Sequence, residues 1–167
     1  GGVAAAGSVA LVTHDPRTIG VMSCNPAIGG LAKGQIVREI DALGGLMGLA
    51  TDATGIQFRL LNTSKGPAVH GPRAQCDKIA YAAAVQRLIA SRPEIRVIGG
   101  DVEDLLVRER RIEGVRVRPR WGGVGEKGST IDLLAPAVVL TTGTFMRGLM
   151  HTGERRTIGG RFGEDSA

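Results

Sequence analysis

The side chains of this chain that could do covalent or anion chemistry are two cysteines, three histidines and several clustered arginines. Cys24 stands in Ser23-Cys-Asn-Pro-Ala-Ile-Gly-Gly-Leu-Ala-Lys-Gly34, a loop dense in residues that permit unusual backbone angles, just ahead of a predicted helix. A thiol near a helix N-terminus can titrate low and act as a nucleophile, for example by adding to C6 of a uracil so that C5 becomes reactive. The plain alternative is a small buried thiol, and Cys76 reads the same way. Two cysteines without clustered histidines lack zinc spacing. His14, His70 and His151 are scattered and read as loop hydrogen-bonders, since no acidic residue stands at a spacing that suggests a triad.

Two further segments bear on anions. Ala137-Val-Val-Leu-Thr-Thr-Gly-Thr144 reads as a buried strand running into a glycine turn. In a doubly wound sheet nucleotides lie beyond the carboxyl ends of the strands, where hydroxyls and a side-chain-free backbone can meet phosphate or ribose. The same turn is also a common structural corner. Lys65-Gly-Pro-Ala-Val-His-Gly-Pro-Arg73 joins two cations through rigid turns, either an anion-facing loop or a connector. Arg108, Arg110, Arg111, Arg116, Arg118 and Arg120 could face phosphate, although such alternation usually marks a solvated sheet face. The fingerprint G-x-G-x-x-G is absent, and Gly1-Gly2 does not replace it.

The elements that must hold these residues follow from pattern. Val9–Thr13 is an apolar run with the look of a buried strand. Ile36, Ile40 and Leu43 form the apolar stripe of a helix that Gly44-Gly45 ends. Gly55–Leu60 alternates as a half-buried strand, 62–75 is a polar connector, and Asp77 caps a second helix that buries Tyr81, Val85 and Leu88 before Ser91-Arg-Pro93 stops it. Arg96–Ile98, Val102–Arg108 and Ile112–Arg118 suggest a small antiparallel meander, followed by a glycine-rich loop over 121–130. Alanine-rich residues 1–7 resemble the end of a helix, so a first strand and its turn are expected upstream. The order implies an α/β sheet with a β-meander on the crossover, incomplete at the N-terminus.

Composition sets the outer bounds. With 167 residues the chain suits one folding unit, 43% hydrophobic and 22% charged content argues against disorder, and no run approaches the roughly 18 apolar residues a membrane helix needs. The 26 glycines are about twice the usual ~7% share, as a binding scaffold would require. A net charge of +5, carried mostly by arginine, suits polyanionic partners such as RNA or nucleotides. Widely separated cysteines indicate a reducing compartment.

MSCNPAIGGLAKGQIVREIDALGGLMG (22–48), GIQFRLLNTSKGPAVHGPRAQCDK (55–78), AVVLTTGTFMRGLMHTGE (137–154) and GGRFGE (159–164) together resemble the MnmG (GidA) family, over nearly the whole chain. The resemblance implies a Rossmann-like α/β fold of the two-dinucleotide, FAD-binding type, with residues 1–167 forming part of the FAD-binding domain. It implies an FAD enzyme that uses NADH and methylenetetrahydrofolate and, with an MnmE-type GTPase, installs a (carboxymethyl)aminomethyl group at C5 of tRNA wobble uridine 34. It further implies a cytoplasmic homodimer with no membrane contact. Carried onto these residues, Cys24 would be the nucleophile, while Asn25, Gly29, Gly30, Val102, Thr142, Gly143 and Thr144 would contact FAD. Lys65 and Arg73 are the candidate nucleic-acid contacts, and Asn25–Gly30 should share a crevice with Thr141–Thr144. Departures are the missing fingerprint, nicotinamide region, second cysteine and C-terminal helical region. Cys76 also stands where alanine is usual, and Asp165-Ser166-Ala167 replaces a proline-containing run. The chain alone is therefore expected to hold FAD weakly or not at all. Alternative readings are an inert truncated fragment, an RNA-binding remnant, or a relative of the folate- and FAD-dependent tRNA uracil methyltransferases.

Overall fold

The computed structural model describes residues 7–22, 24–120, 129–143, 146 and 148–159. They gather into two compact units where one was expected from chain length, the first holding the residues up to Leu11 with Pro16–Val97, the second Val12–Asp15 with the residues from Ile98 onward.

In the first unit three short strands make an antiparallel sheet of order β2-β4-β3: β2 (Ala27–Gly29), β3 (Gly55–Leu61) and β4 (Gly71–Cys76). The expected strand at 55–60 is present. The central strand β4 falls largely within the expected connector 62–75, because Gly-Pro-Arg-Ala-Gln-Cys lacks the branched and aromatic residues that favour strands. Pro72 is tolerated there because β2 has ended by the Gly29↔Arg73 pair, so its missing N–H removes no ladder bond on that side. Pro72, Ala74 and Cys76 share the face turned toward the helices. The Pro72 ring lies beneath Gly34, while Cys76 is buried with Met22, Ala50, Tyr81 and Ala84.

The helices are α1 (Gly34–Ala42), α2 (Leu46–Thr54) and α3 (Lys78–Ala90). Helix α2 has no counterpart in the sequence reading, and its presence explains a second difference. Ile36 and Leu43, expected to be inward, are 53% and 74% exposed, whereas Val37 and Ile40 are half-buried. The tight Gly44-Gly45 turn folds α2 back against α1, and this neighbour selects the inner face of α1. Helix α3 matches expectation. The Asp77 carboxylate accepts from Ile79 N–H at 2.9 Å and Ala80 N–H at 2.8 Å, and at the far end Ser91 Oγ donates to the Leu88 carbonyl. Tyr81 is buried, with Val85 and Leu88 packed around the same core.

The strand β1 (Val9–Thr13) leads a four-stranded sheet of order β1-β5-β6-β7, with β5 (Ile95–Arg108), β6 (Arg111–Pro119) and β7 (Ile131–Leu134). Val9 N–H donates to Glu94 and His14 meets Asp101, so β1 and β5 advance together and run parallel, while β5-β6-β7 is the antiparallel meander. The expected runs 96–98 and 102–108 are one strand. Gly99-Gly100 does not break it, because β6 passes so close that a Cβ on Gly100 would stand 2.6 Å from the Arg118 carbonyl oxygen. The turn between β5 and β6 places two non-glycine residues, Glu109 (φ 48°) and Arg110 (φ 62°), in the left-handed region that such two-residue hairpins require.

The expected buried strand at 137–144 is not formed. Residues 137–142 lie outside any ladder, Val139 is 84% exposed, and no described strand runs beside them to accept their hydrogen bonds. Beyond them β8 (Leu149–Thr152) and β9 (Arg155–Ile158) form a hairpin turned at Gly153, φ 62°.

Two outcomes test this core. Asp77→Ala should cost about 1 kcal/mol in urea denaturation through the lost cap, and Asp77→Asn much less. Burial pushes the Tyr81 phenol above its ordinary value of 10.0. A raised folded pKa contributes stability that is present below the unfolded value and lost as pH rises through the folded one. Stability should therefore fall on the alkaline side of about pH 10, and Tyr81→Phe should flatten that fall. Because the chain has one tyrosine, its absorbance titration reports the shift directly.

Candidate functional site

Cys24 is exposed and Cys76 is buried, so the plain reading of a small buried thiol fits Cys76 and not Cys24. The helix expected after the 23–34 loop is present, but it is not adjacent to Cys24. Strand β2 intervenes and α1 starts only at Gly34, so no helix N-terminus adjoins the thiol. Between them, Asn25 is exposed and its carbonyl accepts from Ala27 N–H at 2.7 Å, while the Pro26 carbonyl accepts from Cys76 N–H at 2.7 Å, tying the loop to β4.

At the other end of β2 the backbone turns through Gly29 (φ 83°) and Gly30 (φ 100°). Gly30 N–H donates to the Pro72 carbonyl at 2.8 Å, and the Gly30 carbonyl accepts from Gly34 N–H at 2.9 Å at the start of α1. The two glycines have different jobs. A Cβ on Gly29 would collide with the Pro72 carbonyl, so this residue lets two strands approach. A Cβ on Gly30, which is buried, would meet only the Arg73 Cδ, at 3.9 Å, so this position is not held by a backbone contact.

The sheet carries a feature that sequence reasoning missed. The register sets Gly29, Arg73 and Arg59 in one row, and Ala27, Gln75 and Gln57 in the next, on the face opposite the helix-packed Pro72, Ala74 and Cys76. Among the described residues none of these four polar side chains has a hydrogen-bond or ion-pair partner. The period-two alternation in Gln57-Phe-Arg59 and Arg73-Ala-Gln75 was the available signal. It could be used only once β4 was known to be a strand.

Of the remaining expected residues, Lys65 ends an exposed single turn, Thr63–Lys65, and lies on a different element from the half-buried Arg73. Val102 sits in β5 opposite Val117, beside a register irregularity at Glu103. Thr142 and Gly143 are exposed, Gly143 has φ 62° with nothing near its missing Cβ, and Thr144 lies outside the described residues. The stretches 25–30 and 141–144 belong to different units, and each stands as a candidate by itself.

Several other charged groups are paired locally. Arg116 forks onto both oxygens of Asp132 at 2.8 and 3.0 Å and holds that carboxyl below its usual range, while Arg118 pairs with Glu103 and Arg120 with Asp101. The arginine meander is thus, for these three, a solvated and internally paired sheet face. His14 Nδ1 lies 2.7 Å from Asp101, and His70 Nε2 lies 3.4 Å from the Thr63 carbonyl, both in keeping with loop hydrogen-bonding. No group of three or more His, Cys, Asp or Glu among the described residues is arranged to hold a metal. A cleft of about 400 Å³ opens between α1, α2 and the sheet, walled by Val37, Asp41, Thr51, Phe58 and Ala74. Gly29, Arg59 and Arg73 border it but Cys24 and Asn25 do not, and most of its wall comes from α1, α2 and the helix-packed face. It is incompletely filled space between layers rather than the place where the candidate residues gather.

A mixed α/β chain whose parallel pair carries a β-meander, with left-handed glycine turns at strand ends, belongs to the Rossmann-like class. A family model described as glucose inhibited division protein A matches residues 3–167, and the chain belongs to that family. It is 54% identical, over 93% of its length, to the tRNA uridine 5-carboxymethylaminomethyl modification enzyme MnmG of Granulibacter bethesdensis. It is 51% identical over 93% to the protein of the same name from Rhodopirellula baltica. The solved structure of Aquifex aeolicus GidA superposes over 95% of the chain with a TM-score of 0.80 at 44% identity. The chain spans 24% of the length of each of these relatives.

The contrast between glycines is measurable. Gly29→Ala adds a backbone collision to left-handed strain and should lower stability by more than about 2 kcal/mol, whereas Gly143→Ala, with open space around it, should cost about 1 kcal/mol. Equal losses in thermal denaturation would contradict the assigned difference.

Proposed function

We propose that this chain contributes the flavin-contacting part of an enzyme that modifies C5 of the wobble uridine of tRNA, with Cys24 as the thiol that engages the uracil. The observation that carries the reading is the match of residues 3–167 to one family whose relatives are named for that modification. The exposure of Cys24 supports its part in it.

The residues present fit a flavin nucleotide. At Gly143 the backbone is open on the side where a Cβ would stand, as a planar or phosphate-bearing group needs for close approach, and at Gly30 that side is free of backbone. In the first unit Asn25, Gly29 and Gly30 would line such a group, and in the second the backbone of Val102 with Thr142, Gly143 and Thr144. When bound, the flavin supplies the redox chemistry. Asn25 offers an amide able to orient a carbonyl or ring nitrogen, and the turn at Gly29-Gly30 excludes side chains from the approach. The Cys24 thiolate would add to C6 of the uracil, making C5 an enolate carbon able to bond an electrophilic carbon, and would leave from C6 as C5 gives up its proton to solvent and the C5=C6 bond re-forms. Lys65 and Arg73 would meet tRNA phosphates. As in the family reading, NADH and methylenetetrahydrofolate are the proposed co-substrates, an MnmE-type GTPase the partner, a homodimer the assembly and the cytoplasm the compartment. No helix among the described residues is long and apolar enough to cross a membrane.

Placed in a full-length family member, Cys24→Ala should abolish wobble-uridine modification, read by mass spectrometry of digested tRNA, while the flavin absorbance of the purified protein stays. Normal modification in that variant would remove Cys24 from the chemistry.

A further inference from the structure

The rows on the open face of the β2-β4-β3 sheet are not explained by packing. Arg59 and Arg73 are directly opposite one another on neighbouring strands, where like charges repel, and neither meets a carboxylate among the described residues. In the second unit's meander Arg116, Arg118 and Arg120 meet acids across their strands, while Arg108 and Arg111 oppose one another at the mouth of the β5-β6 hairpin turn. In the next row Gln57 and Gln75 are also opposite one another, their amides without partners among the described residues. The third strand adds no bulk, since Gly29 stands beside Arg73 and Ala27 beside Gln75. The result is a low, polar face with a cationic row and an amide row.

We propose that this face binds one nucleotide of an RNA strand, its phosphate on Arg59 and Arg73 and its base edge on Gln57 and Gln75. Two guanidinium groups carried on one cross-strand pair suit a phosphodiester, which the repulsion between them favours as a counter-ion. Paired amides offer donors and acceptors together, as the edge of a pyrimidine requires. The rows are two residues apart along each strand, about 6.7 Å, on the scale of one nucleotide from base to phosphate. The direction agrees with the thiol. Cys24 lies three residues before Ala27, within about 11 Å along the chain, beyond the amide row and away from the arginine row. A base on the glutamines therefore lies at the end from which Cys24 approaches. An open sheet with exposed Gln57 and Arg59 suits an unpaired strand rather than an enclosed small molecule. This deepens the RNA contact proposed for Arg73 and rests on that reading, while adding Arg59, Gln57 and Gln75.

The test is binding of a labelled anticodon stem-loop RNA, with uridine at the wobble position, to the full-length protein across a salt series. Arg59→Gln and Arg73→Gln should each weaken binding about tenfold and lower the slope of log affinity against log salt by about 0.7, one phosphate contact on a single strand. Arg73→Lys should keep the slope. Gln57→Leu and Gln75→Leu should keep the slope yet lose at least half of the preference for uridine over cytidine at that position. The arginine variants should melt at or above the wild-type temperature, since each relieves repulsion. Affinity within twofold and an unchanged slope in both arginine variants would overturn the proposal, as would a lowered melting temperature accompanying every loss. Uridine monophosphate binding that vanishes in the variants while RNA binding holds would also overturn it, pointing to a free nucleotide instead. The outcome separates from the chemistry assigned to Cys24: slopes can fall where Cys24→Ala is silent, and can stay where Cys24→Ala abolishes modification.

Discussion

The first unit depends on one close approach, that of Gly29 to the Pro72 carbonyl. Only a residue without a side chain can occupy it, and only with the positive φ observed there. The approach lets Gly30 N–H reach that same carbonyl and sets β2 against β4 in the register Ala27↔Gln75 and Gly29↔Arg73. Since a strand alternates faces with period two, this register turns Pro72, Ala74 and Cys76 toward the helices and Arg73 and Gln75 away from them. A slip of one residue would send the arginine into the core and Ala74 into solvent.

Charge is handled differently in the two units. In the second, cations and carboxylates sit across strands from one another, as in the Arg116 fork on Asp132, so the sheet face is locally neutralised. Such exposed pairs add little to stability, but they leave no field for a ligand to answer. In the first unit Arg59 and Arg73 are opposed with no carboxylate on either among the described residues. Tolerating repulsion on a folded surface is an arrangement that packing does not require, and here the opposed pair lies mid-strand beside a row of amides rather than at a hairpin turn as Arg108 and Arg111 do.

Much of the fold was legible where a local signal sufficed. Asp77 caps α3 because its carboxylate needs only the next two or three N–H groups, all specified by nearby sequence. The alternation of 55–61 and the hairpin-forming runs of the meander were equally local. What failed was non-local. Strand β4 was hidden because Pro72 and two small residues carry no strand preference, and the strand exists by virtue of β2 and β3 on either side. Residues 137–142 show the converse, a strongly strand-like sequence with no described neighbour to pair with. The inner face of α1 went to Val37 and Ile40 because α2 folds against it through Gly44-Gly45.

The linear sequence by itself determined the family, through long ordered motifs, and with it the α/β class and the identity of Cys24, Asn25, Gly29 and Gly30 as residues of interest. It also settled the caps and turns, which are decided by side chains a few bonds apart. Tertiary structure alone decided that Cys24 is exposed and followed by a strand, that Arg118 and Arg120 are neutralised, and that Arg59 faces Arg73. The physical reason is that exposure and charge depend on which distant segment lies alongside. That is a matter of strand register and of backbone approach at a single glycine, and neither is encoded in any short window of residues.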